Sequence, residues 1–288
     1  MKKHFFVFLL IFVFSTFLFA SEPPDDLNKN VKKNELKYNL AKGVKFTFST
    51  VSNTDGSQEA GGQEQTFTTK GEHEYSFEVL SVDDSGNMNL EMEYKKRYTE
   101  TPTPEGPKAD EHPDFIGKKV KFVLSPEGEL SGFTGFEELP GGMDKNGEVN
   151  EKKFESYIRG IINLFPKTPG KPVDIGETWN YEYKRKKVTG ENKVIDVAIN
   201  YTYKLVEETN IEVTYKRSEK GEEARYGMVG NVEMEGEGTQ TIMFDQDKGM
   251  FLSLKGTSTE EGTVEIPSMS MVISVANENT YSRTVKFN

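Results

Sequence analysis

The stretch Val194–Leu205, VIDVAINYTYKL, decides the fold class of this chain. Apolar residues occupy every second position in it, while Asp196, Asn200 and Lys204 fall between them. Successive side chains of a β-strand point to opposite faces, so a period of two predicts a strand with one buried face and one face in water. The alternating apolar positions are Ile195, Val197, Ile199, Tyr201, Tyr203 and Leu205.

The same period of two recurs along most of the chain. Between the alternating runs lie turn sequences, such as residues 84–87 (DSGN) and 126–128 (PEG), with glycine where a tight hairpin needs a positive φ. We therefore predict a mainly β, antiparallel protein whose strands form a half-barrel or another curved sheet. Further alternating runs are found at 44–48, 75–79, 88–94, 211–215 and 269–275.

One segment, about residues 150–165, departs from the β pattern. Its apolar residues follow the i, i+3, i+4, i+7 spacing of an amphipathic helix. Asn150 is a good N-cap residue and Pro166 ends a helix, so both boundaries are marked. The apolar stripe needs a partner, which an open face of the sheet provides. Its members are Phe154, Tyr157, Ile158, Ile161, Ile162 and Phe165.

The segments on the two sides of this helix resemble each other. Residues 89–97 (NLEMEYKKR) align with 210–217 (NIEVTYKR), and the turn glycines Gly128 and Gly249 align at the same offset along the chain. A constant offset across two separate hairpins indicates an internal duplication, although two charged hairpins also resemble each other through composition. We predict β repeat 1 over 36–140, a helix and connector over 141–172, and β repeat 2 over 173–288.

The first twenty residues predict export. Two lysines precede an apolar run, residues 5–19, which ends at Ala20, a small residue suited to cleavage. The run is shorter than the roughly 20 residues of a membrane-spanning helix, and prolines follow it closely. We predict a cleaved signal peptide over 1–20, a flexible tether over 21–35 and a periplasmic or secreted protein. An uncleaved anchor is the alternative, because Leu18 stands two positions before Ala20, where a cleavage site has a small residue.

Composition limits the available chemistry. The chain has no cysteine, which excludes disulfides, thiolate catalysis and the cysteine-linked lipid anchor of a bacterial lipoprotein. Its formal net charge of −11 repels phosphate backbones. We expect no nucleic-acid partner, and we do not expect an integral membrane protein.

Catalytic and metal-binding motifs are weak. After removal of the signal only His73 and His112 remain, each among charged residues, so a Ser-His-Asp site has little to build from. Residues 110–114 (DEHPD) and the acidic positions near 144–151 carry possible metal ligands, but neither has the spacing of a known site. We predict no catalytic residue, no metal and no cofactor. A pair of carboxylates cannot be assigned, because so acidic a chain brings some pair together in any fold.

Aromatic and apolar residues are the candidate ligand-binding groups. Trp179, the only tryptophan, alternates with Tyr181 and Tyr183 along one predicted strand face. Such a ladder serves either as core or as the wall of a ligand site. The predicted helix would face the same interior. It contributes Phe154, Tyr157, Ile158 and Ile161 to the set.

The overall pattern resembles known groups of exported proteins. The export signal, the one-sided antiparallel strands and a helix able to cover the concave side resemble the lipoprotein-carrier family and related bacterial half-barrel proteins. Residues 172–179 (PVDIGETW) are similar to strand starts in uncharacterised exported bacterial β-rich proteins. The first resemblance implies an interior that holds a lipid, and it carries over no individual residue.

We accordingly expect a non-enzymatic exported binding or carrier protein, with an apolar small molecule, a lipid or a lipidated partner in a concave sheet. The rival is a structural or adhesive cell-envelope module whose outer polar face does the work. A carboxylate-type hydrolase is the third option. A hollow interior favours the carrier and a filled interior favours the envelope module.

Overall fold

Antiparallel strands dominate the computed structural model, which describes residues 34–103, 106–189, 193–225 and 228–288. The predicted signal peptide and the predicted tether up to residue 33 lie outside the described residues. The strands of the described part are β1 (Lys45–Ala60), β2 (Gln63–Val82), β3 (Met88–Thr103), β4 (Gly106–Asp110), β5 (Lys119–Leu124), β6 (Leu130–Thr134), β7 (Thr178–Val188), β8 (Val194–Leu205), β9 (Asn210–Arg225), β10 (Met228–Asp245), β11 (Met250–Ile266) and β12 (Met271–Phe287).

These strands form one open sheet that does not close into a barrel. Its order is β6-β5-β3-β2-β1-β12-β11-β10-β9-β8-β7, and β4 pairs with β3 outside this path. Two meanders, one up to β6 and one from β7 onward, are therefore joined by the pairing of β1 with β12, from Phe46↔Phe287 to Ala60↔Ile273. For the residues that the structure describes, the mainly β, antiparallel fold class with one helix is confirmed.

The segments aligned by the repeat prediction lie at corresponding places in the two meanders. Residues 89–97 belong to β3 and residues 210–217 to β9, each the third strand of its meander. Gly128 and Gly249 both have a positive φ, in the turn before β6 and in the turn before β11. The duplication stays a prediction.

The apolar side chains of the strands share one face, here called the inner face, and the opposite side is the outer face. Phe46 and Phe48 on β1 have no exposed surface, whereas Ser49 between two inner positions is exposed. The ring of Phe48 lies 4.7 Å from that of Phe77 on β2 and 5.2 Å from that of Phe251 on β11. The core thus spans both meanders.

One α-helix, α1 (Glu151–Ile162), covers part of the inner face. It begins where predicted, with the side chain of Asn150 accepting a hydrogen bond from the Lys153 amide at 3.2 Å. The segment after the helix continues into the core, since Leu164 is 3% and Phe165 is 1% exposed. Buried residues that precede β1 complete the cover: Leu36, Tyr38 and Leu40.

Glycines on the inner face let the second meander bend sharply. A Cβ atom at Gly238 on β10 would lie 2.5 Å from the ring of Tyr215 and 2.7 Å from the Thr257 carbonyl oxygen. A Cβ at Gly256 would lie 2.6 Å from the ring of Tyr281. The two tyrosine hydroxyls meet at 3.4 Å, although β9 and β12 are three strands apart. Aromatic rings thus lie over glycines and fill the bend.

We predict that Gly238→Ala lowers the free energy of unfolding by about 1–3 kcal/mol, because the added methyl group has no room beside Tyr215. Gly160→Ala in α1 is the matched control, since nothing lies within 4 Å of its Cβ position. That control is expected to be neutral or to gain up to about 1 kcal/mol of helix propensity. Urea unfolding measures both, and equal effects of the two substitutions would contradict the close approach.

Candidate functional site

The predicted residues of β7 pack against β8 at one edge of the sheet. The ring of Trp179 is 9% exposed and stacks on Tyr203, with centroids 5.3 Å apart and planes at 8°. Its indole Nε1 donates a hydrogen bond to the Lys167 carbonyl oxygen at 3.3 Å. Tyr181 lies 6.4 Å from Tyr201, and Tyr183 packs against a second, smaller apolar cluster.

The predicted residues of α1 contact the other meander. Phe154 and Tyr157 lie 4.9 Å and 6.1 Å from Phe136, which follows β6. The Tyr157 hydroxyl donates a hydrogen bond to the Pro140 carbonyl oxygen. Ile158 is partly buried and Ile161 is 2% exposed, and both belong to the main core. Phe154 and Tyr157 thus pack around Phe136, while Trp179 and Tyr181 pack against β8. Six of the seven predicted positions belong to the main core, and Tyr183 borders the second cluster.

Aromatic rings pack between the sheet and the segment that follows α1. Phe46 stacks on Phe77 at 4.9 Å, and the ring of Phe165 lies 5.2 Å from Phe48 and 5.9 Å from Phe77. These side chains have at most 2% of their surface exposed. A ligand on this part of the inner face has to replace the segment after α1, because Phe165 and Leu164 occupy the apolar surface there.

A row of two arginines, one histidine and one threonine crosses the inner face beside this aromatic core. Arg97 on β3 pairs with His73 on β2, His73 pairs with Thr50 on β1, and Thr50 pairs with Arg283 on β12. Facing side chains of paired strands have Cβ atoms about 5 Å apart. We call these four residues the cationic row.

Arg283 joins the cationic row to the end of α1. Its Nη1 donates hydrogen bonds to the carbonyl oxygens of Asn163 and Leu164 at 3.0 Å and 2.6 Å, and its Nε donates to the Thr50 hydroxyl at 3.3 Å. Desolvation by the surrounding protein lowers the pKa of Arg283 to about 10, so the group stays protonated at neutral pH. A cation at the C-terminal end of a helix also interacts favourably with the negative end of the helix dipole.

His73 and Arg97 hold unsatisfied nitrogen atoms. Burial, with a smaller effect of Arg97 and His112, lowers the pKa of His73 to about 4. In the part of the chain that the structure describes, the buried His73 Nδ1 and Arg97 Nε have no hydrogen-bond partner. The Arg97 guanidinium lies 4.0 Å above the ring of Phe115. Within the described ranges, neither Arg97 nor Arg283 forms an ion pair with a carboxylate.

The other arginine cluster on the inner face is neutralised. The Arg217 Nη1 lies 2.7 Å from the Glu260 carboxylate, across Gly236 on the intervening strand, and Arg217 also bonds Glu219. Burial raises the pKa of Glu219, but the positive charges of Arg217 and Lys187 together lower it by more than burial raises it. The pKa of Glu219 therefore lies below its usual value. This cluster is a structural ion network, in contrast to the cationic row.

A cavity of about 1590 Å³ lies at the ends of the strands that point away from the aromatic core. Most of its lining residues belong to the outer face, including a row that crosses five adjacent strands by register. The lining is rich in carboxylates and hydroxyls and contains few cations. The members of the row are Asp55, Glu278, Thr259, Glu237 and Lys216.

The candidate catalytic and metal residues do not assemble into a centre. The Nδ1 atom of His112 lies 3.4 Å from the Asp110 carboxylate, and its Nε2 atom lies 2.8 Å from the Thr99 hydroxyl. The described residues contain no group of three or more His, Cys, Asp or Glu side chains placed to hold a metal ion. Within the same residues, no helix has the length and apolar character needed to cross a membrane.

Sequence reasoning did not identify the cationic row. The available signal was a basic residue at an inner position of an alternating strand. Arg283 alternates with Tyr281, Val285 and Phe287, and His73 precedes Tyr75 in the same phase. Only the register shows that β1, β2, β3 and β12 bring these positions side by side.

Fold and site together define a mainly β protein built on one open antiparallel sheet, with a helix-covered apolar face and a polar outer face. Residues 72–251 match the model of DUF6263, a family of unknown function, and the chain belongs to this family. No curated protein matches the chain. Among solved structures, a DUF1329 family protein from Desulfovibrio piger matches at 12% identity and a TM-score of 0.15, over 81% of this chain and 83% of that chain.

We predict that His73 makes the protein less stable as the pH falls from about 6.5 toward 4. Its folded pKa of about 4 lies below the ordinary 6.5, so the unfolded chain binds a proton in this window before the folded chain does. Free energies of unfolding at about pH 7 and about pH 5 measure the loss, above the range where most carboxylates titrate. His73→Gln should reduce this loss, and an unchanged loss would contradict the assignment.

Proposed function

We propose that this protein is an exported, non-enzymatic binding protein that takes up an apolar ligand on the inner face of its sheet. The observation that carries the proposal is the cover of that face. A single helix and the segment after it lie over aromatic rows contributed by both meanders. Two polar contacts hold this cover in place. The Tyr157 hydroxyl of α1 donates a hydrogen bond to the Pro140 carbonyl oxygen, and the Arg283 guanidinium of β12 donates one to the Leu164 carbonyl oxygen after α1.

The free energy gained by burying an acyl chain is comparable to the free energy gained by burying the side chains that cover the sheet. Burial of each large aliphatic or phenyl side chain contributes about 1.5–3 kcal/mol, so Ile161, Leu164 and Phe165 together contribute about 5–9 kcal/mol. An acyl chain of about fourteen methylenes contributes about 11 kcal/mol at about 0.8 kcal/mol each. An acyl ligand therefore has enough apolar surface to replace the segment that covers the sheet.

The outer cavity supports a second candidate, an adhesive or structural envelope module. Its volume of about 1590 Å³ and its hydroxyl and carboxylate lining suit a polar partner. The filled aromatic interior also favours this candidate, because a ligand on the outer face displaces nothing. Export is part of both proposals and rests on the predicted signal peptide.

Two isoleucine substitutions test the displacement of α1. Ile161 on the helix is 2% exposed and Ile242 on β10 has no exposed surface, so Ile161→Ala and Ile242→Ala should both cost about 2–5 kcal/mol of stability. We expect Ile161→Ala to strengthen binding of a fluorescent long-chain fatty acid several-fold, because it weakens only the cover. Ile242→Ala should leave the affinity unchanged or weaken it.

Fluorescence titration of the purified protein measures both affinities. If neither the natural protein nor the Ile161→Ala variant binds the probe, the apolar-ligand proposal is wrong and the envelope module takes its place. If both variants change the affinity equally, α1 is a fixed part of the core. A lipid found by mass spectrometry in an organic extract of the protein would support the proposal directly.

A further inference from the structure

Packing does not explain the unsatisfied nitrogens of the cationic row. A buried polar nitrogen without a hydrogen-bond partner costs stability, yet His73 Nδ1 and Arg97 Nε, on the paired strands β2 and β3, are both buried and unpartnered within the described residues. The chain carries a net charge of −11, and its other inner arginine cluster is neutralised by Glu219 and Glu260. Capping of α1 accounts for Arg283, and the contact with Phe115 accounts for one face of the Arg97 guanidinium, but neither contact satisfies Arg97 Nε or His73 Nδ1.

We propose that the cationic row binds the anionic oxygen group, a carboxylate or a phosphate, at the head of an acyl ligand. This inference rests on the proposed function, because it places the tail of the same ligand on the apolar inner face. The row supplies the donors that such a group requires. Arg97 Nε and His73 Nδ1 are buried and unpartnered among the described residues, and the Thr50 hydroxyl lies between His73 and Arg283 in the register.

The surface next to the row suits the tail. One step of the strand alternation away, about 7 Å along the strands, the inner face presents Tyr94, Tyr75, Phe48 and Val285 across the same four strands. A further step brings Met92, Phe77, Phe46 and Phe287. The inner face thus runs from cationic to aromatic in the direction that an anionic amphiphile requires.

Binding of the head group is coupled to the release of α1 through Arg283. In the present arrangement its guanidinium donates to two neutral carbonyl oxygens, those of Asn163 and Leu164. These bonds already have an ionised donor, but an acid group adds a second, opposite charge and can bond the guanidinium through two oxygens at once, so it competes well for these donors. Loss of the two bonds frees the C-terminal end of α1 and opens the path of the tail.

A comparison of three ligands of equal chain length tests the inference. Binding of a long-chain fatty acid, the corresponding alkyl phosphate and the corresponding alcohol is measured for the natural protein, for Arg283→Met and for Arg217→Met. We expect the natural protein to bind at least one of the two acids about tenfold or more tightly than the alcohol, since hydrogen bonds to charged partners are stronger than those to neutral ones. Arg283→Met should bind all three ligands with similar affinity.

Arg217→Met is the matched control, because it removes an inner-face arginine that is already paired with carboxylates. It should keep the preference for the acid. Arg283→Lys retains the positive charge but lacks the planar guanidinium that bonds two oxygens at once, so it should keep part of the preference for the acid. This variant replaces Arg283→Met in the test if the methionine variant does not fold. Emission of the buried Trp179 reports folding in each case.

Hydrogen exchange of the α1 amides gives a second readout. The acid should speed exchange at the C-terminal end of α1 in the natural protein but not in Arg283→Met. Equal binding of acid and alcohol by the natural protein would overturn the inference and leave the proposed function intact. Binding of none of the three ligands would overturn both, and a preference for carboxylate or for phosphate identifies the head group.

Discussion

The pairing of β1 with β12 is the contact on which the rest of the structure depends. These strands lie far apart in the chain, yet their ladder runs from Phe46↔Phe287 to Ala60↔Ile273 and turns two meanders into one sheet. Without it the aromatic residues of β1 and β2 would have no neighbours from the second meander. The same ladder places Arg283 beside Thr50, so the core and the cationic row arise from one register.

An open sheet with one apolar face has to be covered, and this chain covers it with its own segments. The cover is a short helix, the residues that follow it and the segment before β1. The helix is held at its C-terminal end by Arg283, a side chain of the sheet that it covers. Stability and any exchange of the cover for a ligand are therefore linked, because both depend on the same aromatic surface and the same guanidinium.

The two groups of arginines on the inner face differ in whether a carboxylate can reach them. At Gly236 the absence of a side chain lets Arg217 reach Glu260 two strands away, and the ion network closes on itself. At the cationic row Arg97 faces His73, which is neutral at neutral pH, and within the described residues no carboxylate pairs with Arg97. Carboxylates instead gather on the outer face around the cavity, on the side of the sheet opposite the core.

The sequence by itself determined the strands, the helix and the faces, because these depend on local periodicity. The alternation in residues 194–205 predicted β8, and the apolar stripe with Asn150 predicted α1. Tertiary structure alone decided which strands are neighbours. No local signal links Arg283 to His73, which lie 210 positions apart on β12 and β2, or places Trp179 and Tyr157 against different neighbours. Register between distant strands is set by long-range packing, so the site became visible only in the folded sheet.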